Sequence, residues 1–352
     1  MNREVTVYTT PPEALVELLT KSHPLHSLPL IRRLRFTGFP GGITENTKIL
    51  WSSTAAIEDH LAAAVTGHTL RERIPFAAAY LDFSRAPETE LWIYSSMEQR
   101  LVGGKAEEKG GEGERVNDRD CERERERQEE EIAAAAGLLR RVKHEQDLYF
   151  AAGSARGSPA AVLVGSMHEV LRERLAAAGM AFDSTRVYDK WFFKPSELPD
   201  IELPDDPGDE RRWVWDAVRP EDIPFAIAST KVPRREHTMR LLPSRALYLD
   251  DGTLVAWAFL GPDSSLSSLH CEEPYRGRGI AKAVAVRVLR DHLKDYGDDD
   301  GYGWADVALD NAQSQGVCRS LNGKVKWRTS WNRLNLAQSF SINKTHKSRT
   351  FL

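Results

Sequence analysis

The chain has 352 residues, of which 41% are hydrophobic and 28% are charged, and its formal net charge is −4. This composition is typical of a soluble globular protein and excludes the collagen-like, wholly disordered and disulfide-scaffold classes. The length suffices for about two domains. Because acidic and basic residues nearly balance, the whole-chain charge does not favour a nucleic-acid or membrane partner, and we expect neither.

The cysteines and the apolar segments indicate the compartment. Cys121, Cys271 and Cys318 are odd in number and far apart, which predicts neither a disulfide framework nor a zinc site, and no metal is expected. Residues 1–10 lack the apolar core of a secretory signal. The longest apolar run, residues 132–139, is shorter than the roughly 20 residues that cross a bilayer. We therefore predict a cytoplasmic or nucleocytoplasmic protein.

One segment of the N-terminal half is strongly acidic. Residues 103–131 contain seven basic and twelve acidic side chains, a local charge of −5, together with five glycines. Val116 is the only aliphatic residue in it besides alanine, so the segment cannot bury enough apolar surface to offset the entropy of ordering it. We predict a disordered insertion that turns helical near residues 122–136. It is either an acidic docking segment or an expanded surface loop, and the low cost of loop closure favours the loop.

The remainder of the chain predicts mixed helices and strands in two halves. Residues 195–209 hold four prolines and six acidic residues, which is typical of an extended linker. We therefore predict an N-terminal domain over residues 1–194, a linker over 195–210, a C-terminal domain over 211–336 and a flexible tail over 337–352. In the first domain, strands are predicted at residues 75–83, 90–96, 148–152, 161–164 and 187–194, and a helix with Val164, Met167, Leu171 and Leu175 on one face.

The most informative stretch is a strand, a glycine-bearing loop and an amphipathic helix over residues 264–296. Glycines at 277 and 279 allow successive backbone N–H groups to point the same way, and the helix start adds partial positive charge, so the loop predicts an anion site. The spacing matches neither a Walker loop nor a dinucleotide fingerprint. Arg276 and Arg278 add two cations, which suits the pyrophosphate and 3′-phosphate of coenzyme A. The alternative is a loop that only turns a strand into a helix.

This loop resembles a known family. Arg276-x-x-Gly279-x-Ala281 resembles the R/Q-x-x-G-x-G/A pyrophosphate loop of the GCN5-related N-acetyltransferase (GNAT) superfamily. Residues 269–276 are similar to the strand-to-loop entry of its glycine N-acyltransferase-like, or FR47-like, branch. Downstream, residues 305–309 match the next strand, Asn311-x-x-Ser314 matches the following helix, and residues 324–336 match a last hairpin. The resemblance covers residues 212–336.

The resemblance implies an α/β (mixed α+β) fold with a central splayed mixed β-sheet, and acyl-CoA lying in the gap between the splayed strands. The N-terminal half follows the same element order without the R-x-x-G-x-G/A loop, which implies a tandem arrangement with a degenerate GNAT-like domain. By the same resemblance, the residues that bind acetyl-CoA are Leu269, His270, Cys271, Arg276, Gly277, Arg278, Gly279, Ile280, Ala281, Asn311 and Ser314.

Two positions depart from the pattern of many relatives. The tyrosine that protonates the leaving thiolate, seven residues after the Asn, is replaced by Cys318, whose thiol is the candidate acid. The base carboxylate in the strand before the loop is replaced by serine, which leaves Asp263, His270 and Glu272 as candidate bases. His270 is favoured, because histidine is the residue type that exchanges protons near neutral pH.

The predicted function is an acyl-CoA-dependent N-acyltransferase that transfers an acetyl group to a small amine or amino acid. The thioester is attacked directly by the amine, with one base, one acid and backbone N–H groups that stabilise the oxyanion. Two alternatives stay open: a non-catalytic module that binds CoA, and an N-acetyltransferase that acts on a protein or peptide.

Overall fold

The computed structural model describes residues 5–66, 74–99, 118–153, 156–203, 211–230, 232–297 and 301–341. Most of the predicted acidic insertion, residues 103–117, lies outside them. Twelve strands are described: β1 (Val5–Tyr8), β2 (Lys48–Ser53), β3 (Phe76–Leu81), β4 (Leu91–Ser95), β5 (Ala161–His168), β6 (Ala181–Phe193), β7 (Trp213–Asp216), β8 (Ser244–Leu249), β9 (Leu254–Leu260), β10 (Leu266–Cys271), β11 (Gly303–Ala308) and β12 (Lys324–Asn335). The described helices are α1 (Glu13–Ser22), α2 (Leu28–Arg35), α3 (Ile57–Val65), α4 (Asp118–Ala151), α5 (Glu169–Ala177), α6 (Ile223–Ala228), α7 (Glu236–Met239), α8 (Ile280–His292), α9 (Ala312–Ser320) and α10 (Leu336–Ser339).

The chain forms two compact units whose limits differ from the predicted domains. Unit 1 comprises Met1–Leu18, Glu45–Arg186 and Ser330–Leu352, and unit 2 comprises Leu19–Thr44 and Val187–Thr329. The long strands β6 and β12 explain the difference, because each contributes one half to each unit. Helix α2 belongs to unit 2, where Arg32 donates to the backbone carbonyl of Leu293 at 3.1 Å.

Unit 1 is a mixed sheet covered by helices. Its strands follow the order β1-β2-β3-β4-β5, then the unit 1 halves of β12 and β6. The first four strands are antiparallel, and β5 runs parallel to β4, with Leu91 opposite Val164. The buried side of α4 packs on this sheet through Ala135, Leu138 and Val142. The predicted hairpin of β3 and β4 is confirmed.

Helix α4 corrects two of the predictions for unit 1. The helix predicted near residues 122–136 is confirmed, but residues 118–121, predicted to be disordered, are also helical. Oppositely charged pairs one turn apart support the helix, as in Arg125–Glu129, where the side chains approach to 3.2 Å. Residues 148–152, predicted as a strand, belong to the end of α4 and the turn after it. The helix predicted from Val164 begins only at Glu169, because the preceding residues form β5.

Unit 2 contains the predicted strand, loop and helix. Strands β7 to β10 form an antiparallel sheet in the order β10-β9-β8-β7, and β11 pairs antiparallel with the second half of β6. Helix α8 packs on β8, β9 and β10. The predicted hairpin at residues 324–336 is wrong, because residues 324–335 form the single strand β12. None of the described helices has the length and apolarity needed to cross a membrane.

Candidate functional site

Strands β10 and β11 part from each other in unit 2. Among the described pairings, a single parallel bridge joins them, with Ser265 opposite Trp304. Beyond it, β10 continues to Cys271 and β11 to Ala308 with no further described pairing between them. The two strands therefore leave a gap whose edges carry backbone groups outside a shared ladder, as the splayed sheet of the predicted fold requires.

A bulge lies in β10 beside this gap. Leu266 and Ser267 pair in register with β9, and pairing resumes at His270, so that Ser268 and Leu269 fall outside the described register. Ser268 has a φ of +51°, which is unusual for a residue with a side chain. Bulges of this kind turn backbone groups out of the ladder and are frequent next to active sites.

The glycine loop follows β10 and ends at α8. Gly277 and Gly279 have φ angles of +77° and +81°, in the left-handed region that glycine adopts most readily. Gly279 is the N-cap of α8, and the first turn of that helix carries no acidic residue. The unpaired N–H groups and the partial positive charge of the helix start therefore face a loop that carries Arg276 and Arg278. This arrangement suits a phosphate-bearing ligand.

The two arginines of the loop have different roles. The Nε of Arg276 donates to the backbone carbonyl of Cys271 at 2.8 Å, so this side chain ties the loop to the end of β10. The guanidinium of Arg278 lies 5.8 Å from the ring centre of Trp213. The sequence predicted both side chains as phosphate ligands, and the structure gives Arg276 an additional positioning role that a sequence pattern does not show.

Helix α9 begins with the predicted Asn and Ser. The side-chain oxygen of Asn311 accepts a hydrogen bond from the backbone N–H of Ser314 at 3.0 Å and caps the helix. Asn311 immediately follows the turn after β11, so both residues lie at the carboxyl end of the strand that borders the gap. Their predicted contact with acyl-CoA stays a prediction.

One face of the unit 2 sheet collects the polar side chains of the gap. His270 pairs with Trp257, Ser267 pairs with Phe259, and Trp304 lies opposite Ser265. Because directly opposed residues and residues two apart in a strand share a face, these side chains all project to the same side. We call it the His270 face. Helix α8 lies on the other side, where its Leu289 approaches Gly303.

His270 is held in place by two neighbours. Its ring stacks on Trp257, and its Nε2 lies 3.1 Å from a carboxylate oxygen of Glu272. A carboxylate accepts hydrogen bonds from a ring N–H, and in the tautomer with Nε2 as the donor, Nδ1 keeps its lone pair. The side chain of His270 is 24% exposed and can therefore meet a ligand on this face. The geometry brings two of the three predicted base candidates together.

The third candidate base lies elsewhere. Asp263 is buried in the turn between β9 and β10, where its carboxylate accepts hydrogen bonds from the backbone N–H and the hydroxyl of Ser265. Its backbone carbonyl accepts a hydrogen bond from the indole of Trp304 at 3.1 Å. Asp263 thus holds the turn at the closed end of the gap, at the opposite end of β10 from His270.

Cys318 lies inside the core of unit 2. It is 3% exposed and packs among apolar residues of the main cluster. Burial raises the pKa of its thiol to about 12. A thiol with that pKa would lose its proton to a coenzyme A thiolate only at a large cost, since ordinary thiols have a pKa near 8.5. The predicted role of Cys318 as the acid is therefore not supported by its surroundings.

Other side chains near the gap were not singled out by the sequence. Arg234, in the segment between α6 and α7, donates to the hydroxyl of Ser267 at 2.9 Å. The ring centre of Phe225, in α6, lies 5.7 Å from that of Trp257 on the His270 face. Lys190 of β6 and Asp306 of β11 form an ion pair beside Trp304. These contacts join distant segments, and local sequence patterns do not predict them. Among the described side chains, no group of three or more potential metal ligands is found.

Comparison with known proteins supports the same fold and chemistry. Residues 2–194 match the family model described as "Acyl-CoA N-acyltransferase verG N-terminal domain". The matched region is the half that lacks the glycine loop. The comparison with curated proteins gave no significant match.

Several solved structures resemble this chain at low sequence identity. An X-ray structure of a Drosophila protein has a TM-score of 0.56 at 13% identity, covering 92% of this chain and 95% of that one. A tandem GNAT protein from the clavulanic acid biosynthesis pathway has a TM-score of 0.47 at 10% identity, with coverage of 95% and 98%. A GCN5-related N-acetyltransferase from Sphaerobacter thermophilus has a TM-score of 0.41 at 14% identity, with coverage of 94% and 96%. The first of these supports a common fold over almost the whole chain.

Proposed function

This chain belongs to the family of acyl-CoA N-acyltransferases that the verG N-terminal domain defines, and on that premise we propose that it transfers an acetyl group from acetyl-CoA to the amine of a small molecule or amino acid. The family model ends at residue 194, so the residues proposed for the reaction rest on the geometry of unit 2 and on the motif of its loop.

The observation that carries the proposal is the position of the glycine loop. It joins the end of β10, which borders the gap, to the start of α8. A pyrophosphate bound at the N–H groups of residues 277–281 would place the pantetheine arm along the gap between β10 and β11. The backbone edges that border this gap can then pair with the amides of the arm, as a neighbouring strand would.

We assign the base to His270 and a positioning role to Glu272. The amine reaches the thioester as an ammonium ion and must lose a proton before it attacks. Nδ1 of His270 takes that proton, and Glu272, bonded to Nε2 at 3.1 Å, stabilises the imidazolium that results. Trp257 fixes the plane of the ring by stacking.

The remaining charges of the reaction are also accommodated. Attack on the thioester carbonyl forms a C–N bond and an oxyanion, which the backbone N–H groups of Ser268 and Leu269 would stabilise, since the bulge takes both residues out of the described register with β9. Collapse of the oxyanion breaks the C–S bond and releases coenzyme A as a thiolate. The attacking nitrogen still carries one proton more than the amide product and gives it to the thiolate, directly or through water, while the imidazolium returns its proton to solvent, so no role for Cys318 is needed.

Release of free thiol from acetyl-CoA in the presence of a panel of amines tests this proposal. We expect amine-dependent thiol release by the wild-type protein, and a KM for acetyl-CoA at least tenfold higher in Arg278→Glu. Arg287→Glu is the matched control, because it makes the same charge change further along α8, where Arg287 pairs with Asp291. If the wild-type protein releases no thiol with any amine, the transferase proposal is wrong. An equal effect of the two substitutions would contradict the phosphate assignment of the loop.

A further inference from the structure

A buried ion pair lies beside the gap and has no part in the proposed acyl transfer. Nζ of Lys190 is 3.1 Å from a carboxylate oxygen of Asp306 and 3.3 Å from the ring centre of Trp304. The side chain of Lys190 is 1% exposed, whereas that of Asp306 is 6% exposed. The carboxylate is therefore the end of the pair that comes closer to the surface.

The strand register places Asp306 on the His270 face. Trp304 lies opposite Ser265 at the point where β10 and β11 part, and Asp306 is two residues further along β11. Its side chain thus projects to the same side as Trp304, which the shared contact with Lys190 confirms. Across the gap, Ser267 and His270 project to that side from β10. Asp306 and the proposed base accordingly border the gap from its two strands.

Stability alone does not explain this pair. Removing a lysine and an aspartate from water costs several kcal/mol for each ion, and their attraction recovers that cost only with excellent geometry. Replacement of a buried ion pair by apolar side chains of similar volume is often neutral or stabilising in proteins. The ionic pair therefore calls for a use that apolar residues could not serve.

We propose that Asp306, which pairs with Lys190, binds the ammonium group of the acceptor on the His270 face. The proposal rests on the proposed transferase function and adds the class of substrate. A carboxylate can accept several hydrogen bonds, so Asp306 can bond to Lys190 and to an acceptor together. The ammonium would enter between Asp306 and His270, and His270 would remove its proton next to the thioester. The acceptors selected are aliphatic amines, which are cationic at neutral pH, rather than arylamines, which are uncharged.

The test measures amine binding without turnover. Benzylamine and aniline are titrated by calorimetry into the full-length protein saturated with a non-reactive thioether analogue of acetyl-CoA. We expect the wild-type protein to bind benzylamine at least tenfold more tightly than aniline. Asp306→Asn should lose that preference, and Asp291→Asn, which breaks a 2.7 Å pair with Arg245 on α8, should keep it.

A double variant separates a binding role from a structural one. Lys190→Met combined with Asp306→Leu removes both charges and leaves neither ion buried alone, so this protein should unfold cooperatively near the wild-type temperature. We expect it to bind benzylamine no better than aniline. Normal benzylamine binding by the double variant, or no preference in the wild-type protein, would overturn the inference. Thiol release is measured separately: binding without release contradicts the transferase proposal, and release with no preference for benzylamine contradicts the role of Asp306.

Discussion

The imidazole of His270 stacks on the indole of Trp257, with 4.5 Å between the ring centres and 21° between the planes. The two residues face each other across β10 and β9, directly after the bulge at Ser268. Because the bulge changes the register, it determines which β10 side chain meets Trp257. Residue 270 thereby reaches the face that Ser267 and Asp306 share.

Replacement of His270 tests its role as the base. We expect His270→Gln to lower kcat about 100-fold, which is the lower end of what a positioned base contributes, with an unchanged KM for acetyl-CoA. Steady-state kinetics at saturating amine give both constants. A fall in affinity for acetyl-CoA with little change in kcat would show instead that His270 only lines the cofactor gap.

Glu272 should have a smaller effect than His270. Glu272→Gln removes the charge that stabilises the imidazolium but keeps a hydrogen-bonding group of the same shape. We expect kcat to fall about tenfold with an unchanged KM for acetyl-CoA, measured by steady-state kinetics at saturating amine. Glu273→Gln, on the next, exposed residue, is the matched control and should leave kcat unchanged. A kcat of Glu272→Gln equal to that of the wild-type protein would remove Glu272 from the mechanism.

Gly279 should tolerate asparagine better than valine. A Cβ placed there would meet nothing within 4 Å, so the cost of a side chain comes from the backbone, whose φ is +81°. Branched residues adopt this region at a cost of about 1–2 kcal/mol or more, and asparagine at less. We expect unfolding free energies in the order glycine, asparagine, valine, measured by urea denaturation, and a KM for acetyl-CoA that rises in the same order. Equal stability of the asparagine and valine variants would contradict a conformational origin.

The three cysteines should differ in reactivity. Burial raises the pKa of Cys271 to about 11 and that of Cys318 to about 12, so neither forms much thiolate at pH 8, while Cys121 is exposed. A thiol reagent should therefore modify one residue quickly in the native protein and three in urea. Cys121→Ser should abolish the fast reaction.

Cys318→Ala should keep kcat within about twofold, because the thiol of Cys318 has no role in the proposed reaction. A tenfold loss of kcat in a folded variant would restore Cys318 as the acid.

The sequence predicts the local parts of this structure well. The strand, loop and helix ending in α8 follow from an apolar strand, two glycines and a repeat of about 3.6 residues, all of which are short-range signals. The hairpin of β3 and β4 depends on equally local signals. The strand predicted at residues 148–152 is wrong for a related reason, since a short apolar run has the same pattern in a buried helix as in a strand.

The long-range arrangement could not be read in the same way. Strands β6 and β12 are divided between the two units because of the strands with which they pair. The sequence of a strand does not predict its pairing partners. The neighbourhood of Asp306 and Lys190 follows only from the pairing of β11 with β6. Likewise, the sequence favoured His270 over Asp263 as the base from residue type alone, and only the bulge and the turn show that the two lie at opposite ends of β10.

In unit 1, Glu90 should make the stability of the protein depend on pH. Burial raises the pKa of Glu90 from the ordinary 4.5 to about 7. Two interactions oppose this rise: the carboxylate accepts a hydrogen bond from the backbone N–H of Leu163 at 2.8 Å, and Arg333 attracts its charge. The folded protein thus holds this proton more tightly than the unfolded chain. The stabilisation is complete below pH 4.5 and is lost as the pH rises through 7, by about 3 kcal/mol at most. Urea unfolding of wild-type protein and Glu90→Gln between pH 4 and pH 8 measures it.

The glutamine variant keeps an oxygen for the N–H of Leu163 and cannot ionise. We expect its unfolding free energy to change less than that of the wild-type protein between pH 4.5 and pH 7, so that the difference between the two grows with pH. Glu173→Gln, at an exposed position of α5, should follow the wild-type curve. Parallel curves for Glu90→Gln and the wild-type protein would mean that Glu90 titrates alike in the folded and unfolded states, and that its burial between β4 and β5 carries no electrostatic cost.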